Sequence, residues 1–415
     1  MSIDTLGQHG HGSARWWVLA GLWLVYFTFG LVVTSIAPLV AMITTDLSMS
    51  NAAMGSIMGA WQLVYIFAAV PCGILLDRLG GRRALLIGLA FLLISIYGRS
   101  VAIGYWTFLL AVMVFGLGGP IISSGAPKLV AELFAGPSRG MAMGIYMTGP
   151  AMGSVVSLSL THALFMPWVD GDWRMVMQIW AFVVLCCGFV WLLIGWRFLP
   201  AHEVLEATER PRQLDVMMSL LRMPSVQLVL FMAVGVFLLN HGLNNWLVEL
   251  LRHGGMSPTT AGYWATIPTL VGIVGSLVIP RLATPPRRFG ILFALCLAAA
   301  LASALLMIGD PLPLGVGLIL QGVARSSMMT VLILSLVELP GIGEARAGVA
   351  SGMFFAAAEI GGVVGPLGIG VIYDLQGGFD LALIILTGVA VLMAFGAIWL
   401  GRVARQKQQS NNPQA

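Results

Sequence analysis

The chain has 415 residues, of which 59% are hydrophobic and only 9% are charged, and its mean hydropathy is +0.94. A soluble globular surface uses roughly 25% charged residues, so a water-soluble enzyme and a disordered chain are both excluded, and lipid must be the solvent. The net charge of +4 is scattered between long apolar runs, which suits membrane orientation and not a nucleic-acid partner.

A spanning helix needs about 20 largely apolar residues. The long unbroken runs are of that kind and unlike the short alternating segments of a barrel. The expected fold class is all-α integral membrane, with twelve transmembrane helices at 16–42, 52–76, 84–103, 106–131, 140–164, 174–198, 225–250, 258–281, 287–308, 313–338, 347–374 and 380–401. Turn clusters and charges bound them, such as Asp77 to Arg83 and Asp170 to Arg174. The expected organisation is a cytoplasmic tail (1–15), a six-helix bundle (16–198), a cytoplasmic linker (199–224), a second six-helix bundle (225–401) and a disordered tail (402–415). With the N-terminus inside, 17 Lys and Arg lie on the cytoplasmic side and three (Arg99, Arg174, Arg252) on the other. This positive-inside asymmetry predicts a multi-pass protein of the cell's inner (plasma) membrane with both termini cytoplasmic. The first fifteen residues are polar and the run after them is too long for a signal h-region, so no cleavable signal peptide is expected.

Along the chain, spans one and two offer Tyr26, Thr34, Gln62 and Tyr65 as cavity-lining candidates. The loop after span two reads Gly73-Ile-Leu-Leu-Asp77-Arg78-Leu-Gly80-Gly81-Arg82-Arg83. Gly73 suits close helix approach and Gly80 a tight turn. Asp77 can cap the N-terminus of a neighbouring helix, with span eleven the candidate, and Arg82 or Arg83 can pair with Glu132 at the inner end of span four. Plain positive-inside anchoring is the alternative reading of these charges. Span four adds Ser123 and Ser124. Span five spaces Gly140, Gly144, Gly149 and Gly153 along its length, and span eleven carries Gly348, Gly352, Gly361, Gly362, Gly365, Gly368 and Gly370. Small residues let helices pack closely, and both spans are expected to form a sliding contact between the halves.

Span seven carries Asn240, His241, Asn244 and Asn245, too many polar groups for an apolar packing face. His241 can titrate near neutral pH. Span ten carries Gln321 and, near its middle, Arg325; span eleven carries Glu359. A charge at a membrane helix centre costs about 2.5–3.5 kcal/mol on insertion scales, so such residues are functional candidates. One reading pairs Arg325 with Glu359 as a structural bridge. The other has Arg325 hold an anion, by the fork geometry of guanidinium, while Glu359 or His241 takes a proton. Trp16, Trp17, Trp106, Trp168, Trp173 and Trp196 lie near span ends and read as interfacial belt residues.

The four cysteines lie inside or at the end of apolar runs without a CxxC, so neither a disulfide framework nor a metal site is expected, and no cofactor is implied. Neither a GxxxxGK[ST] nor an HExxH occurs, so ATP-driven transport and metalloprotease chemistry are excluded. The halves repeat weakly. Met49-Ser50 with Gly55 corresponds to Met256-Ser257 with Gly262, Glu132-Leu133 to Glu338-Leu339, and Gly140, Ala142, Gly144 and Gly153 to Gly348, Ala350, Gly352 and Gly361. Repeats of this kind mark secondary transporters with a site between the halves.

The Gly73-to-Arg83 loop, with the two-half plan over nearly the whole chain, resembles the major facilitator superfamily. That resemblance implies two pseudo-symmetric six-helix bundles, a cavity lined by spans one, four, seven and ten, and a conformational latch built from Gly73, Asp77, Arg78, Gly80, Arg82, Arg83 and Glu132. Gly149-Pro150 with Gly153 looks like part of the family's antiporter motif, although Ile145 and Ser154 stand where glycine is usual. The segments Pro127-Lys128, Arg139 to Gly144 and Gly361 to Pro366 look similar to the cyanate-permease and nitrate/nitrite-porter branches. Spans two and eight lack the interior arginine those nitrate porters use. The expected function is secondary active transport, not enzymatic catalysis. The expected cargo is a small anionic solute, moved by alternating access and coupled to a proton or ion gradient. The alternatives are proton-coupled efflux of drug-like compounds and a non-transporting receptor or scaffold. Expected partners are the small-molecule substrate, the coupling ion and the bilayer, with the chain a monomer.

Overall fold

A computed structural model describes residues 14–199, 213–337, 339 and 342–411. The N-terminal tail up to Ser13, most of the expected linker with Glu203, Glu206, Glu209, Arg210 and Arg212, the end of the C-terminal tail, and Glu338 of the internal repeat lie outside them.

All regular structure among the described residues is helical. Helix α1 is Ala14–Thr34. After a 3-10 turn at Ala37–Leu39 the short α2, Val40–Asp46, completes the same crossing. A single helical run, α3, covers Asn51–Ser100, broken at Gly80 by a left-handed backbone (φ 72). Gly80 therefore makes the turn expected of it, because a side chain would be strained there. Then follow α4 (Tyr105–Leu133) and α5 (Pro137–Leu160). A π-helical turn at Thr161–Phe165 leads into the single turn α6 (Met166–Trp168), and α7 is Trp173–Phe198. The second half holds α8 (Gln213–Leu221), α9 (Pro224–His253), α10 (Pro258–Leu282), α11 (Arg288–Leu305), α12 (Pro311–Val337), α13 (Gly343–Gln376) and α14 (Asp380–Asn411).

Among the described residues ten helices are long and apolar enough to cross a membrane, and α3, at 50 residues, is one of them. Lipid cannot satisfy bare peptide groups, so each crossing closes its own backbone hydrogen bonds. Large apolar side chains stay on the outside, among them Phe67, Phe182, Leu312 and Phe395, as expected where the solvent is hydrocarbon. Trp17, Trp106, Trp168 and Trp196 are exposed, but Trp173 is only 4% exposed and its indole N–H donates to Asp46. Trp173 is a packing residue, not one of the belt.

The described residues form two compact units, one of those within Met1–Met49 and Leu63–Ala207, the other of those within Ser50–Gln62 and Thr208–Ala415. The division departs from the expected one at Ser50–Gln62, which begins span two yet packs with the second half. In the first unit the tightest helix pair is α1 with α5. A Cβ on Gly153 would overlap the carbonyl oxygen of Phe27, and one on Gly149 would come within 2.8 Å of that of Trp23. In the second unit α9 pairs with α13 the same way. A Cβ on Gly361 would overlap the Val234 carbonyl oxygen, and one on Gly365 would lie 2.6 Å from that of Leu238. Backbone-to-backbone packing without a hydrophobic driving force depends on such small residues. These glycines thus hold each unit together internally, where sequence reasoning had assigned them to a sliding contact. Gly73, expected to admit a close helix, faces open space.

Candidate functional site

The polar residues singled out by the sequence fall into distinct groups, each fixed by the helices of one unit. In the first unit, Tyr26 of α1 donates to the Ser123 carbonyl of α4 at 3.0 Å, and the Tyr65 hydroxyl of α3 lies 2.8 Å from Ser123 Oγ. Tyr146 of α5 packs edge-on against the Tyr26 ring. Two tyrosines therefore converge on one serine inside an apolar bundle, where each buried hydroxyl needs a partner. Thr34 bonds Ser154 of α5 at 2.8 Å and serves the helix pair.

At the Gly80 break, Lys128 of α4 donates to Asp77 at 2.7 Å. Arg82 stacks over Trp196, 5.6 Å from its ring centroid, with Nη1 3.5 Å from the Leu199 carbonyl. The expected pairing of Arg82 or Arg83 with Glu132 is absent among the described residues. The long Arg82 side chain finds an aromatic face and a helix C-terminus instead, both favourable to a guanidinium. Lys128, which the sequence reading left without a role, is a partner of Asp77.

The second unit holds the ionisable residues. Arg325 of α12 donates through Nη1 to the side-chain carbonyl of Asn244 on α9, and its Nη2 lies 3.3 Å from Thr269 Oγ1 of α10. The Asn240 amide sits 3.5 Å from the Arg325 carbonyl oxygen. All the partners of Arg325 are neutral, and the structural Arg325–Glu359 bridge is not formed. Arg325, Asn240 and Gln321 share a pocket with Leu243 and Met328, of about 330 Å³ with its open mouth included. Gln321 is 4% exposed, and neither its oxygen nor its nitrogen has a hydrogen-bond partner. Asn245 is spent on its own helix, donating to the His241 carbonyl at 2.8 Å.

A second cluster surrounds Gly362 of α13. The Gln62 amide nitrogen lies 3.2 Å from His241 Nδ1, and the Trp61 ring packs edge-on against the imidazole. A Cβ at Gly362 would lie 3.0 Å from Gln62 Cγ, 3.0 Å from Glu359 Oε2 and 3.3 Å from His241 Cδ2. Glu359 is 5% exposed, and its Oε2 is enclosed without a hydrogen-bond partner. No group of three or more His, Cys, Asp or Glu gathers to hold a metal among the described residues.

Sequence reasoning missed Thr269 and Arg99. A threonine in an apolar run carries no signal by itself. Arg99 counts as an outer-loop charge in sequence, yet it is 1% exposed, and its Nη1 donates to the Val32 carbonyl at 2.8 Å and lies 3.1 Å from Ser35 Oγ.

The Major Facilitator Superfamily family model matches residues 22–341 and 230–415. The uncharacterized transporter YycB of Bacillus subtilis is 24% identical and aligns over 97% of this chain and 99% of its own. A quinolone resistance transporter of Acinetobacter baumannii is 25% identical over 89% of this chain and 90% of its own, and a hexuronate transporter of Bacillus subtilis 23% over 86% and 87%. Among solved structures, a bacterial homolog of the human lysosomal transporter Spinster, in an inward-facing and unoccupied conformation, superposes with a TM-score of 0.75 at 16% identity, covering 95% of this chain and 98% of the other.

Proposed function

Because the chain belongs to the major facilitator superfamily, we propose that this transporter moves a small organic or inorganic anion by alternating access, with Arg325 as the anion-binding group and Glu359 as the carrier of a coupling proton. We count twelve crossings by taking α3 as two, broken at Gly80, and adding the glycine-rich α5 to the ten long apolar helices. The positive-inside asymmetry supports cytoplasmic termini.

One observation carries the anion reading. Arg325 lies in the middle of a membrane helix with only neutral partners, Asn244 and Thr269. A charge there costs about 2.5–3.5 kcal/mol unless it is compensated. An anionic substrate would supply the compensation, and the planar fork suits carboxylate or oxyanion geometry. Asn240 and Gln321, which share its pocket, supply neutral donors and acceptors for the rest of the solute. The hexuronate transporter among the relatives, whose cargo is an organic acid, supports the same class.

Glu359 supports the coupling role by the converse argument. An enclosed carboxylate without a cationic partner is stable only when neutral, so Glu359 is a proton acceptor that can be loaded and unloaded. Of the expected latch residues, Asp77 pairs with Lys128 of α4, a residue outside the expected set, and this pair beside the Gly80 break would stabilise one state of the cycle. The test is uptake by proteoliposomes offered a panel of carboxylates and inorganic anions under an imposed pH gradient, for the natural chain and for Arg325→Gln.

A second reading, proton-coupled efflux of drug-like compounds, is favoured by the quinolone resistance relative and by Gly149-Pro150. It predicts exchange of amphiphilic cations or neutral compounds that does not depend on Arg325, and the same uptake panel separates the two.

A further inference from the structure

Gln62 and Glu359 share an unsatisfied need. Oε1 of Gln62 and Oε2 of Glu359 are both enclosed, and neither has a hydrogen-bond partner. Gln62 is 0% and Glu359 5% exposed, so water does not reach them from the surface. Gln62, through its Cγ, and Glu359, through Oε2, each stand 3.0 Å from where a Cβ on Gly362 would be, with His241 Cδ2 at 3.3 Å. The other end of the Gln62 amide is committed, because its nitrogen faces His241 Nδ1 at 3.2 Å. Two buried acceptors around one glycine are unfavourable in a medium that offers no donor. A carboxylic acid O–H donates and an amide oxygen accepts. One proton between the two oxygens would satisfy both.

We propose that Gln62 is the positioning residue for the coupling proton: the acid form of Glu359 donates from Oε2 to Oε1 of Gln62, while Gln62 Nε2 donates to Nδ1 of His241. This rests on the reading of Glu359 as the proton carrier given above. It adds a consequence which that reading lacks. Gln62 is the last residue of Ser50–Gln62, the stretch that packs with the second unit although the chain continues from it into the first. At its other end this stretch is held by Asp374 of α13, which accepts from the backbone N–H of Asn51 at 3.0 Å and of Ala52 at 2.7 Å, and from the Asn51 amide at 2.9 Å. The Asp374 end is a helix N-cap and needs no titration. The Gln62 end exists only while the proton is present. When the proton leaves, two oxygens oppose each other and the end of the stretch is released from α13. Protonation is thereby converted into the attachment of one helix segment.

The charged or titratable groups on the helices packed against α13 bear on this. On α9 these are His241, Glu249, Arg252 and His253; Glu249 and Arg252 pair at 3.1 Å at the helix end. On α12 the one such group is Arg325, already held by Asn244 and Thr269. On α8 and α14 they are Asp215, Asp380, Arg402, Arg405 and Lys407, near helix ends in the sequence, and Ser50–Gln62 has none. His241 is therefore the group whose own charge most directly opposes or supports the clasp. A neutral imidazole accepts at Nδ1 as drawn, whereas imidazolium turns the Gln62 amide around and competes with Glu359 for Oε1.

Infrared difference spectroscopy of the full chain in lipid tests this. The carbonyl stretch of a protonated carboxylic acid that disappears in Glu359→Gln belongs to Glu359. The expected result is a band at neutral pH at the lowered frequency of a hydrogen-bonded acid. In Gln62→Met, of similar length, and in Gln62→Asn, it should persist but move to the higher frequency of a free acid. A band already at the free-acid frequency in the natural chain, or one unmoved by both substitutions, overturns the role of Gln62 and leaves Glu359 as carrier intact. No such band in the natural chain at neutral pH means that Glu359 is ionised, and then the carrier reading fails as well.

Discussion

Replacing Arg325 by glutamine removes a positive charge from the interior of α12 while keeping a polar side chain of comparable reach. The guanidinium is held by Asn244 and Thr269, both neutral, so its removal leaves no opposite charge stranded. The usual large penalty for breaking a buried ion pair does not arise. Losing one charge-assisted hydrogen bond from substrate costs about 1.5–3 kcal/mol. At about 1.4 kcal/mol per factor of ten, anion affinity should fall roughly 10- to 150-fold. Stability should move the other way or stay level, since a charge that costs about 2.5–3.5 kcal/mol in the membrane is gone. The assay is ligand-induced thermal stabilisation of the purified protein over an anion series, because a ligand of the folded state raises apparent stability by mass action. Arg325→Lys should lie between the two, since ammonium keeps the charge and loses the fork. If Arg325→Gln instead lowers the melting temperature by several degrees and leaves the anion-induced shift unchanged, Arg325 is a structural residue and the argument from its uncompensated charge is refuted.

Glu359→Gln should abolish proton-driven accumulation while sparing solute counterflow, measured in proteoliposomes with and without a pH gradient; counterflow lost along with accumulation would count against a coupling role. Asp374→Ala removes the cap from Asn51 and Ala52 and should cost about 0.5–2 kcal/mol of stability by melting temperature, with no change in anion specificity. Gly361→Ala places a methyl against the Val234 carbonyl and should destabilise by about 1–3 kcal/mol or prevent folding, whereas Gly188→Ala, which faces open space, should be silent. Asp77→Asn breaks a partly exposed pair with Lys128, so its effect on stability should stay below about 1 kcal/mol, and a transport rate that falls severalfold at normal stability would mark it as part of a latch.

Membrane folding was the more legible part of this sequence. Apolar runs and loop charges place most crossings within a few residues, because lipid leaves the backbone few options. The exceptions are local. The α3 run continues through Gly80 without the loop that Asp77 to Arg83 suggests, because one left-handed glycine turns the chain with no intervening coil. The small-residue stripes of spans five and eleven announce close packing but not against what. Only the folded structure shows that Gly153 meets α1 and Gly361 meets α9. Intramembrane polarity singles out Arg325, Glu359, His241 and Asn244 on cost alone. Their partners stay hidden, because a partner such as Thr269 or Gln62 lies on another helix and carries no charge to mark it. Arg99 shows the converse. It looks like an outer-loop residue in sequence, yet the Val32 carbonyl and Ser35 hydroxyl draw it fully inside.

The most direct test of the account is to record solute and proton fluxes together in proteoliposomes, using a pH-sensitive dye and a labelled monocarboxylate in the natural chain, Arg325→Gln and Glu359→Gln. Anion movement accompanied by proton movement in the natural chain, with weakened anion dependence in the first variant and uncoupled exchange in the second, is the predicted result. Coupled flux of neutral or cationic compounds that is indifferent to both substitutions would contradict it.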